Sequence, residues 1–264
     1  MSTQAEAGAH DHKAVVREEF TRQAVAYAAA PVITDAERLA RLVRAINPQP
    51  DARAVEVATG PGYVAMALAA RCREVVGLDL TPAPIAIAER TSRERGIANA
   101  HFRVGDAEHL PFGDDEFDIA VCRFAFHHFE RPETVLAEMV RVCRSGGTVA
   151  IEDLFSSEYR ERADYMNHIE RLRDHSHTTA LTPTELIAMT RELGLEIESM
   201  HSDRLMVDME DWLKGAQTGE NDAREVRRLV GDDMLRNLSG MLPFEYDGAV
   251  KFIQRTVAIV TRKL

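Results

Sequence analysis

The sequence predicts an α/β fold built on a parallel sheet. Short apolar runs rich in β-branched residues alternate with segments whose apolar residues recur every three or four positions, as strands alternate with covering helices. The runs are apolar at nearly every position, which is typical of strands buried on both faces of a parallel sheet. The sequence contains no internal repeat and no Gly/Ser-rich linker.

Strands and helices are expected to follow one another in turn up to residue 152. The candidate strands are 54–58, 75–80, 101–104, 117–122 and 148–152. The helical patterns between them cover 63–70, 83–95 and 133–142. Prolines lie near the starts of the helical patterns, glycines follow their ends, and Thr182 is an expected N-cap. These helix start and stop signals agree with the helices predicted from the spacing of apolar residues.

After residue 152 the pattern changes. The segments are, in order, a charged amphipathic stretch over 158–175, a helix over 184–193, a strand over 195–200, a helical cap over 209–242 around the only tryptophan, and a strand over 252–261. The long connection before the last strand leaves its pairing direction open.

Composition restricts the partners. The 264 residues include 32 basic and 43 acidic side chains, a formal net charge of −11, which disfavours nucleic acid and anionic membrane. We expect a small-molecule acceptor, no nucleic acid and no membrane insertion, and leave a homodimer open. The three cysteines lie far apart in apolar runs and predict reduced core residues. The N-terminus lacks a signal-peptide pattern, so we expect a cytoplasmic protein.

The first strand runs into a glycine-containing turn. Residues 55–62 read VEVATGPG and a helical pattern follows, so backbone N–H groups and the helix N-terminus can approach a ligand. Asp79 ends the next strand at the same sheet edge, where its carboxylate can accept hydrogen bonds from ribose hydroxyls. These features predict a nucleoside, but they fit NAD as well as other adenosine cofactors.

Three further features separate these cofactors. Glu56 lies inside the first strand, where dinucleotide sites usually keep apolar residues, and could orient the glycine loop or bind a cationic amino group. Residues 103–112, RVGDAEHLPF, bring Asp106 to the crevice, where it can accept a hydrogen bond from an adenine amine. Residues 117–129, FDIAVCRFAFHHF, precede a helical pattern that ends in glycine.

At these residues the chain resembles the class I S-adenosylmethionine-dependent methyltransferases, especially the ubiquinone/menaquinone-biosynthesis C-methyltransferase-like branch. The resemblance covers about residues 20–155 and rests on five ordered motifs. It implies S-adenosylmethionine as cofactor and a doubly wound, mostly parallel, seven-stranded Rossmann-like sheet with a helical cap insertion. The expected divisions are a tail with lid helices (1–45), a cofactor-binding core (46–205), the helical cap (206–250) and the core's terminal strand (251–264).

The resemblance also implies the cofactor-binding residues. The expected contacts are Glu56, Gly60 and Gly62 for the methionine moiety, Asp79 for the ribose hydroxyls, Leu80 for the adenine face, Asp106 with Ala107 for the adenine edge, and Arg123 for the methionine end. Ala58, also assigned to this site, stands where the family usually has its first glycine. Pro61 removes one N–H donor from the loop, but we expect binding to survive.

Residues 15–31, VVREEFTRQAVAYAAAP, resemble the mobile helix that closes over the cofactor in this branch. Phe20 and Tyr27 would face inward, and closure would exclude water. The alternative is an ordinary amphipathic helix packed on the sheet.

Methyl transfer from a sulfonium needs alignment of the acceptor, exclusion of water and, where the acceptor loses a proton, a general base. His127 and His128 follow the fourth strand at the carboxyl edge of the sheet and are the catalytic candidates. The alternative is that they cap the loop or pack on the next helix. Glu152 and Asp153 end the fifth strand at the same edge and could orient the acceptor.

Other histidines receive no role. His168, His175 and His177 with Asp174 lie in a polar stretch without a second ligand cluster, so a solvated helix end is expected and no metal site. His10 and His12 fall in an expected disordered tail.

These observations predict a methyltransferase that acts on an O, N or C nucleophile of a small molecule by in-line displacement. The charges of residues 205–250 favour a polar acceptor of modest size. Two alternatives stay open: a cofactor-binding protein with other chemistry or no catalysis, and an NAD-dependent oxidoreductase.

Overall fold

The computed structural model describes the backbone of residues 3–264 and the side chains of residues 12–264. Five parallel strands form the centre of its sheet: β1 (Arg53–Val57), β2 (Glu74–Asp79), β3 (Ala100–Val104), β4 (Phe117–Arg123) and β5 (Cys143–Leu154). The strands β6 (Leu195–Asp208) and β8 (Ala249–Lys263) extend the sheet, and β7 (Phe244–Tyr246) pairs only with β8.

The strand order is β3-β2-β1-β4-β5-β8-β6, and β8 runs antiparallel to both of its neighbours. The predicted seven-stranded, mostly parallel sheet is therefore confirmed, and the direction of the last strand, which the sequence left open, is antiparallel. The short strand β7 is an addition that the sequence pattern did not predict.

Helices cover both faces of the sheet, as the doubly wound topology requires. Helices α3 (Ala36–Ile46) and α4 (Tyr63–Ala69) pack on one face, α6 (Pro132–Val142) and α8 (Pro183–Glu192) pack on the other, and α5 (Pro82–Glu94) connects β2 to β3. The N-cap predicted at Thr182 is a full capping box with Glu185. All three cysteines are buried free thiols, as expected.

The predicted helical cap of 206–250 is only partly helical. Its helical part consists of α9 (Met209–Gly215) and α10 (Glu220–Arg236), which share an apolar cluster with α7 (Arg160–Arg173). Strand β6 continues to Asp208 instead of ending at residue 200, because its backbone keeps pairing with β8. The two ends of the predicted cap are thus strand.

The N-terminal region is helical, with α1 (Thr3–Ala29) followed by α2 (Pro31–Thr34). Alanines of α1 pack against Ile87 of α5, so α1 lies over the edge of the sheet where β1 and β2 end. The expected disordered tail is wrong for the described backbone, which is helical from Thr3 onward. Among the described residues, no helix has the length and apolar character needed to cross a membrane.

Candidate functional site

A pocket lies at the carboxyl ends of β1 and β4, where the strand order reverses. In open α/β sheets such a switch point forms the ligand-binding crevice. This switch-point pocket is lined by most of the predicted cofactor residues: Phe20, Tyr27, Ala58, Gly60, Asp79, Leu80, Asp106 and Ala107, with His128 beside them. Glu56 and Arg123 line a smaller adjoining pocket together with Ala58, Gly60 and Tyr27. Gly62 lines neither pocket, and its part is to allow the backbone conformation of the glycine loop.

The glycine loop between β1 and α4 needs its glycines for two reasons. Gly60 and Gly62 have φ values of +51° and +79°, which L side chains adopt only with strain. A Cβ on Gly62 would also lie 2.5 Å from the Phe102 ring, so any side chain there would clash. Ala58 has φ +54° and therefore carries the strain that a glycine, usual at this position in the family, would avoid.

The carboxyl group of Glu56 binds the glycine loop through hydrogen bonds. Its Oε2 accepts hydrogen bonds from the Thr59 hydroxyl and, at 2.8 Å, from the Ala65 N–H in the first turn of α4. None of the described hydrogen bonds uses Oε1. Burial raises the pKa of Glu56 to about 8 despite these two donors, which favours the protonated carboxyl group at neutral pH.

Asp79 ends β2 and bridges two turns. Its Oδ2 accepts from the Gly60 N–H at 2.8 Å and its Oδ1 from the Thr81 N–H at 2.8 Å. Burial nevertheless raises the pKa of this carboxyl group above its ordinary value. Each carboxylate oxygen has further lone pairs, so the group can accept two hydroxyl protons from a ribose while it holds the loop.

Asp106 is already paired in this structure. Lys13 of α1 donates to Asp106 Oδ2 at 2.8 Å and to Glu108 Oε2 at 2.7 Å. Burial opposes ionisation, but the bonds from Lys13 and the Glu108 N–H outweigh it and hold the pKa of Asp106 below its ordinary value. An adenine amine that bound Asp106 would therefore share this carboxylate with Lys13.

Asp106, Glu108 and His109 are the one group of the described residues close enough to hold a metal ion. Lys13 and Arg131 already bind the two carboxylates, and His109 is exposed. We assign no metal to this group because its negative charge is compensated by the protein.

Arg123 ends β4 and ties three elements together. Its Nε donates to Glu152 Oε2 at 3.0 Å, and its terminal nitrogens donate to the carbonyls of Val32 and Ile33 in α2. The guanidinium lies 4.4 Å from the centre of the Phe124 ring. Arg123 therefore lines the smaller pocket together with Glu56, while its hydrogen bonds fix α2. The carboxylate of Glu152 is thus engaged by Arg123.

Helix α1 covers the switch-point pocket with the two aromatic residues that the sequence singled out. Phe20 and Tyr27 make an edge-to-face contact at 5.6 Å, and Phe20 makes a second one with His128 at 5.0 Å. His12, assigned no role from the sequence, donates to the His128 carbonyl at 2.9 Å. The disorder expected at His12 is wrong, because the segment is helical. The side chain of His10 lies outside the described residues.

His127 and Asp153 form the closest acid–imidazole pair of the site. His127 Nδ1 lies 2.5 Å from Asp153 Oδ1, and the His127 N–H donates to Asp153 Oδ2 at 3.1 Å. Both residues are buried. Burial disfavours the imidazolium, but the charge and hydrogen bond of Asp153 outweigh it and raise the pKa of His127. The bidentate contact fixes the ring and leaves Nε2 directed away from the carboxylate.

His128 and His177 lie against His127, with ring centres 4.2 Å and 5.5 Å from it. The Nδ1–H of His128 donates to the Ser176 carbonyl at 3.0 Å, and burial and the charge of His127 lower the pKa of His128 to about 4. His177 Nε2 lies 2.8 Å from Asn167 Oδ1. Burial drives the pKa of His177 well below its ordinary value.

The solvated helix end predicted around Asp174 and His177 is therefore wrong, although His175 is exposed. The segment after α7 folds back over the histidines, and the Thr178 N–H donates to the His127 carbonyl at 2.8 Å. Sequence reasoning missed this contact because it joins residues 51 positions apart. The signal available was a run of polar residues with no helical or strand periodicity directly after α7.

A second pocket, the cap pocket, adjoins the switch-point pocket. The two share Phe20, Tyr27, Phe124 and His128, while His127, Leu154, Leu205, Trp212 and Gln254 belong to the cap pocket alone. Its polar rim includes Asp174, which accepts from Gln23 of α1 at 3.1 Å, and Arg173, which lies 5.0 Å above the Trp212 ring. Arg227 and Arg228 of α10 instead pair on the exposed surface, with Glu210 and Glu225 respectively.

Comparisons with known proteins agree with this geometry. Residues 55–151 match the family described as a methyltransferase domain. The chain is 28% identical over 207 residues to the uncharacterised methyltransferase YcgJ of Bacillus subtilis, which covers 78% of this chain and 82% of that protein. It is also 39% identical over 101 residues to a demethylmenaquinone methyltransferase of Thermus thermophilus, covering 38% of this chain and 46% of that protein.

Solved structures are similar over most of the chain. A protein of Bacillus halodurans described as a candidate methyltransferase superposes with a TM-score of 0.81 at 29% identity, covering 85% of this chain and 98% of that one. The crystal structure of YcgJ gives 0.80 at 26% identity, covering 85% and 97%.

The doubly wound sheet, the glycine loop with its strand-end carboxylates and these similarities together define a class of enzyme. The chain belongs to the class I S-adenosylmethionine-dependent methyltransferases. Within that class it is similar to the quinone-biosynthesis branch, as the sequence motifs predicted.

Proposed function

We propose that this chain transfers a methyl group from S-adenosylmethionine to a small-molecule acceptor whose nucleophile loses a proton, with His127 as general base and Asp153 as its positioning residue. The observation that carries the proposal is the buried contact of 2.5 Å between His127 Nδ1 and Asp153 Oδ1 beside the cap pocket. A carboxylate on Nδ1 fixes the tautomer in which Nε2 is free to accept a proton.

The residues of the switch-point pocket and of the smaller pocket beside it fit the cofactor. Oε1 of Glu56 is free of described hydrogen bonds and suits a cationic amino group, and Asp79 keeps lone pairs for the ribose hydroxyls. We assign the adenine face to Leu80 and the adenine edge to Asp106 and Ala107, which line the same pocket. When bound, the cofactor supplies a methyl group already activated by its sulfonium.

The cap pocket is the proposed site of the acceptor. Its wall is largely apolar, formed by aromatic and aliphatic side chains of α1, α2, β6 and α9. None of the described side chains that line this pocket comes from α10, and Arg228 of α10 pairs on the outer surface with Glu225 and Asp232, so the charges of 205–250 do not support the polar acceptor that they favoured. We infer an acceptor with an apolar, planar body and one acidic group, such as a phenol or an enol.

His127 is a better base than its neighbours. A base works best when its pKa lies near the working pH, and the pKa of His127 is raised from the ordinary histidine value, whereas that of His128 is about 4. Glu152 is held by Arg123, which leaves it unsuited to proton transfer. The chain's own contributions are then alignment of the acceptor, removal of its proton at His127 Nε2, and exclusion of water by α1.

The test is a comparison of His127→Gln with wild type. A panel of phenols, hydroxyquinones and amines is screened for release of S-adenosylhomocysteine. We expect turnover of a phenol or enol to fall about 100- to 10,000-fold in the variant. Calorimetric affinity for S-adenosylhomocysteine should stay within about threefold, because His127 does not line the switch-point pocket. His168→Gln, on the exposed side of α7, is the matched control.

Two outcomes would contradict the proposal. Equal turnover in His127→Gln and wild type would remove His127 as the base. Cofactor binding without release of S-adenosylhomocysteine from any acceptor would favour a cofactor-binding protein with other chemistry. A titration with NAD in the same calorimeter tests the oxidoreductase alternative.

A further inference from the structure

We propose that three arginines, Arg162, Arg204 and Arg255, form a binding site for a phosphate-class oxyanion on the sheet face opposite the cap pocket. We call them the arginine cluster. They come from three different elements, α7, β6 and β8, which no local sequence pattern brings together.

The strand register places two of these charges side by side. Arg204 of β6 is paired directly with Arg255 of β8 in the antiparallel ladder. Directly opposed residues have Cβ atoms about 5 Å apart, and like charges in this arrangement destabilise a sheet. The next pair along the ladder, Leu205 with Gln254, points to the other face and lines the cap pocket. The arginine cluster is thus separated from the acceptor by the thickness of the sheet.

Gly240 lies beside the other two arginines. A Cβ on this residue would lie 3.6 Å from Nη2 of Arg255 and 3.8 Å from Cδ of Arg162. With φ at +76°, the position also favours glycine by its backbone. Gly240 therefore places no side chain between the Arg255 guanidinium and the aliphatic stem of Arg162.

No carboxylate compensates this charge within the described residues. None of the three guanidiniums has a carboxylate oxygen within 4.0 Å, and none donates a described hydrogen bond. Arg255 instead lies 4.8 Å from the Phe155 ring centre and Arg162 lies 5.6 Å from that of Tyr159. The adjacent Asp203 belongs to the other face, where it pairs with Arg38 and Arg41. Burial, together with the charges of Arg162 and Arg204, lowers the pKa of Arg255.

The chemistry of the cluster selects the ligand. Guanidinium groups bind tetrahedral oxyanions through paired, charge-assisted hydrogen bonds, and several groups around one cavity favour a multiply charged anion. The chain as a whole carries a net charge of −11, so three uncompensated cations at one place run against its average surface. Free inorganic phosphate and the phosphate group of a small ester share the chemistry that this site recognises.

The test uses the full chain and the variant Arg204→Gln, whose side chain is exposed and whose loss should not disturb the core. In phosphate-free buffer we expect the variant to melt at or above the wild-type Tm, because one like charge is removed. With inorganic phosphate added at constant ionic strength against chloride, the wild-type Tm should rise in a saturable way, by roughly 3 °C at ten times the Kd. The variant should lose this rise, and its phosphate Kd measured by calorimetry should be at least about tenfold weaker.

The matched control is Arg41→Gln, an arginine that already has a carboxylate partner. It should keep the full phosphate response. Glycerol 3-phosphate in a parallel titration distinguishes the two sources: tighter binding than phosphate indicates a phosphate ester, and weaker binding indicates the free ion. Equal responses to phosphate in wild type and Arg204→Gln, or no saturable response to either probe, would overturn the proposal.

Discussion

The switch-point pocket and the cap pocket meet at four shared side chains, yet they are built in different ways. Beneath the covering helix α1, the first is made by strand ends and loops that follow β1, β2, β3 and β4 in chain order, and its polar groups include the Gly60 N–H and the carboxylates of Asp79 and Asp106. The second is made by side chains of α1, α2, α7, β6, α9 and β8, which lie far apart in sequence. One pocket depends on backbone geometry and the other on packing.

Because of this difference, the two pockets tolerate different substitutions without loss of the fold. Positive φ values and a close approach to Phe102 restrict the glycine loop to few residue types. The wall of the cap pocket needs only apolar surface of suitable shape, and apolar walls tolerate substitution when volume is kept. Substitutions in the first pocket should therefore act on cofactor affinity, and those in the second on acceptor choice and turnover.

The largest effect on the first pocket is expected from Asp79→Ala. The variant removes the acceptor for the proposed ribose contacts and also the partner of the Gly60 and Thr81 N–H groups. Hydrogen bonds to a charged group contribute about 1.5–3 kcal/mol each, so affinity for S-adenosylhomocysteine should fall about 100-fold or more. Calorimetric titration measures this, with Asp51→Ala on the exposed surface as control. An unchanged Kd would separate Asp79 from the cofactor.

The same contrast explains how much the sequence could predict. Asp79 and the glycine loop were placed correctly at the switch point because a strand, a turn and a strand end are local features whose geometry follows from parallel pairing. His127 and Asp153 were both named from their strand ends, but their contact depends on the neighbouring positions of β4 and β5.

His177 and Asp174 could not be predicted in the same way. They are buried only because the segment after α7 returns to the edge of the sheet. Helix ends rich in polar residues are usually solvated, so composition alone pointed to the wrong environment. The predicted helical cap of 206–250 likewise includes residues that are strand. Nothing in the pattern of residues 201–208 shows that β8 is long enough to pair with them.

The second prediction sharpens the role of the cap pocket through pH. The pKa of His127 is raised, and a general base must be neutral, so kcat should be full above this pKa and fall as the pH drops through it. Asp153→Asn removes the charge that raises the pKa, so the inflection of the pH profile should move to lower pH, with a lower plateau because the ring loses its orienting carboxylate. NMR titration of the His127 imidazole measures its pKa in wild type and variant without a methyl acceptor. An inflection that stays in place would show that Asp153 does not act through His127.

The third prediction concerns proton release at the smaller pocket that adjoins the first. Burial raises the pKa of Glu56 to about 8, so a cation bound beside it should lower that pKa and release up to about one proton at pH 7. Calorimetry in buffers of different ionisation enthalpy measures the release, and S-adenosylmethionine should give more of it than S-adenosylhomocysteine, which lacks the sulfonium charge. Glu56→Gln should abolish this difference and Glu94→Gln, exposed on α5, should keep it. The same release in Glu56→Gln and wild type would assign the proton to another group.

The smallest effect is expected at the ion pair that fastens α1 over both pockets. Lys13 binds Asp106 and Glu108, and partly exposed ion pairs contribute up to about 1 kcal/mol, so Lys13→Met should change the equilibrium Kd of S-adenosylhomocysteine by less than about fivefold. Two changes act on this Kd in opposite directions, because the variant frees Asp106 for the adenine amine and also loosens α1. The rates resolve them: if α1 must open to admit the cofactor, stopped-flow association and dissociation should both accelerate by a few-fold. A change confined to dissociation would mean that Lys13 holds the bound ligand in place and that opening of α1 does not limit entry.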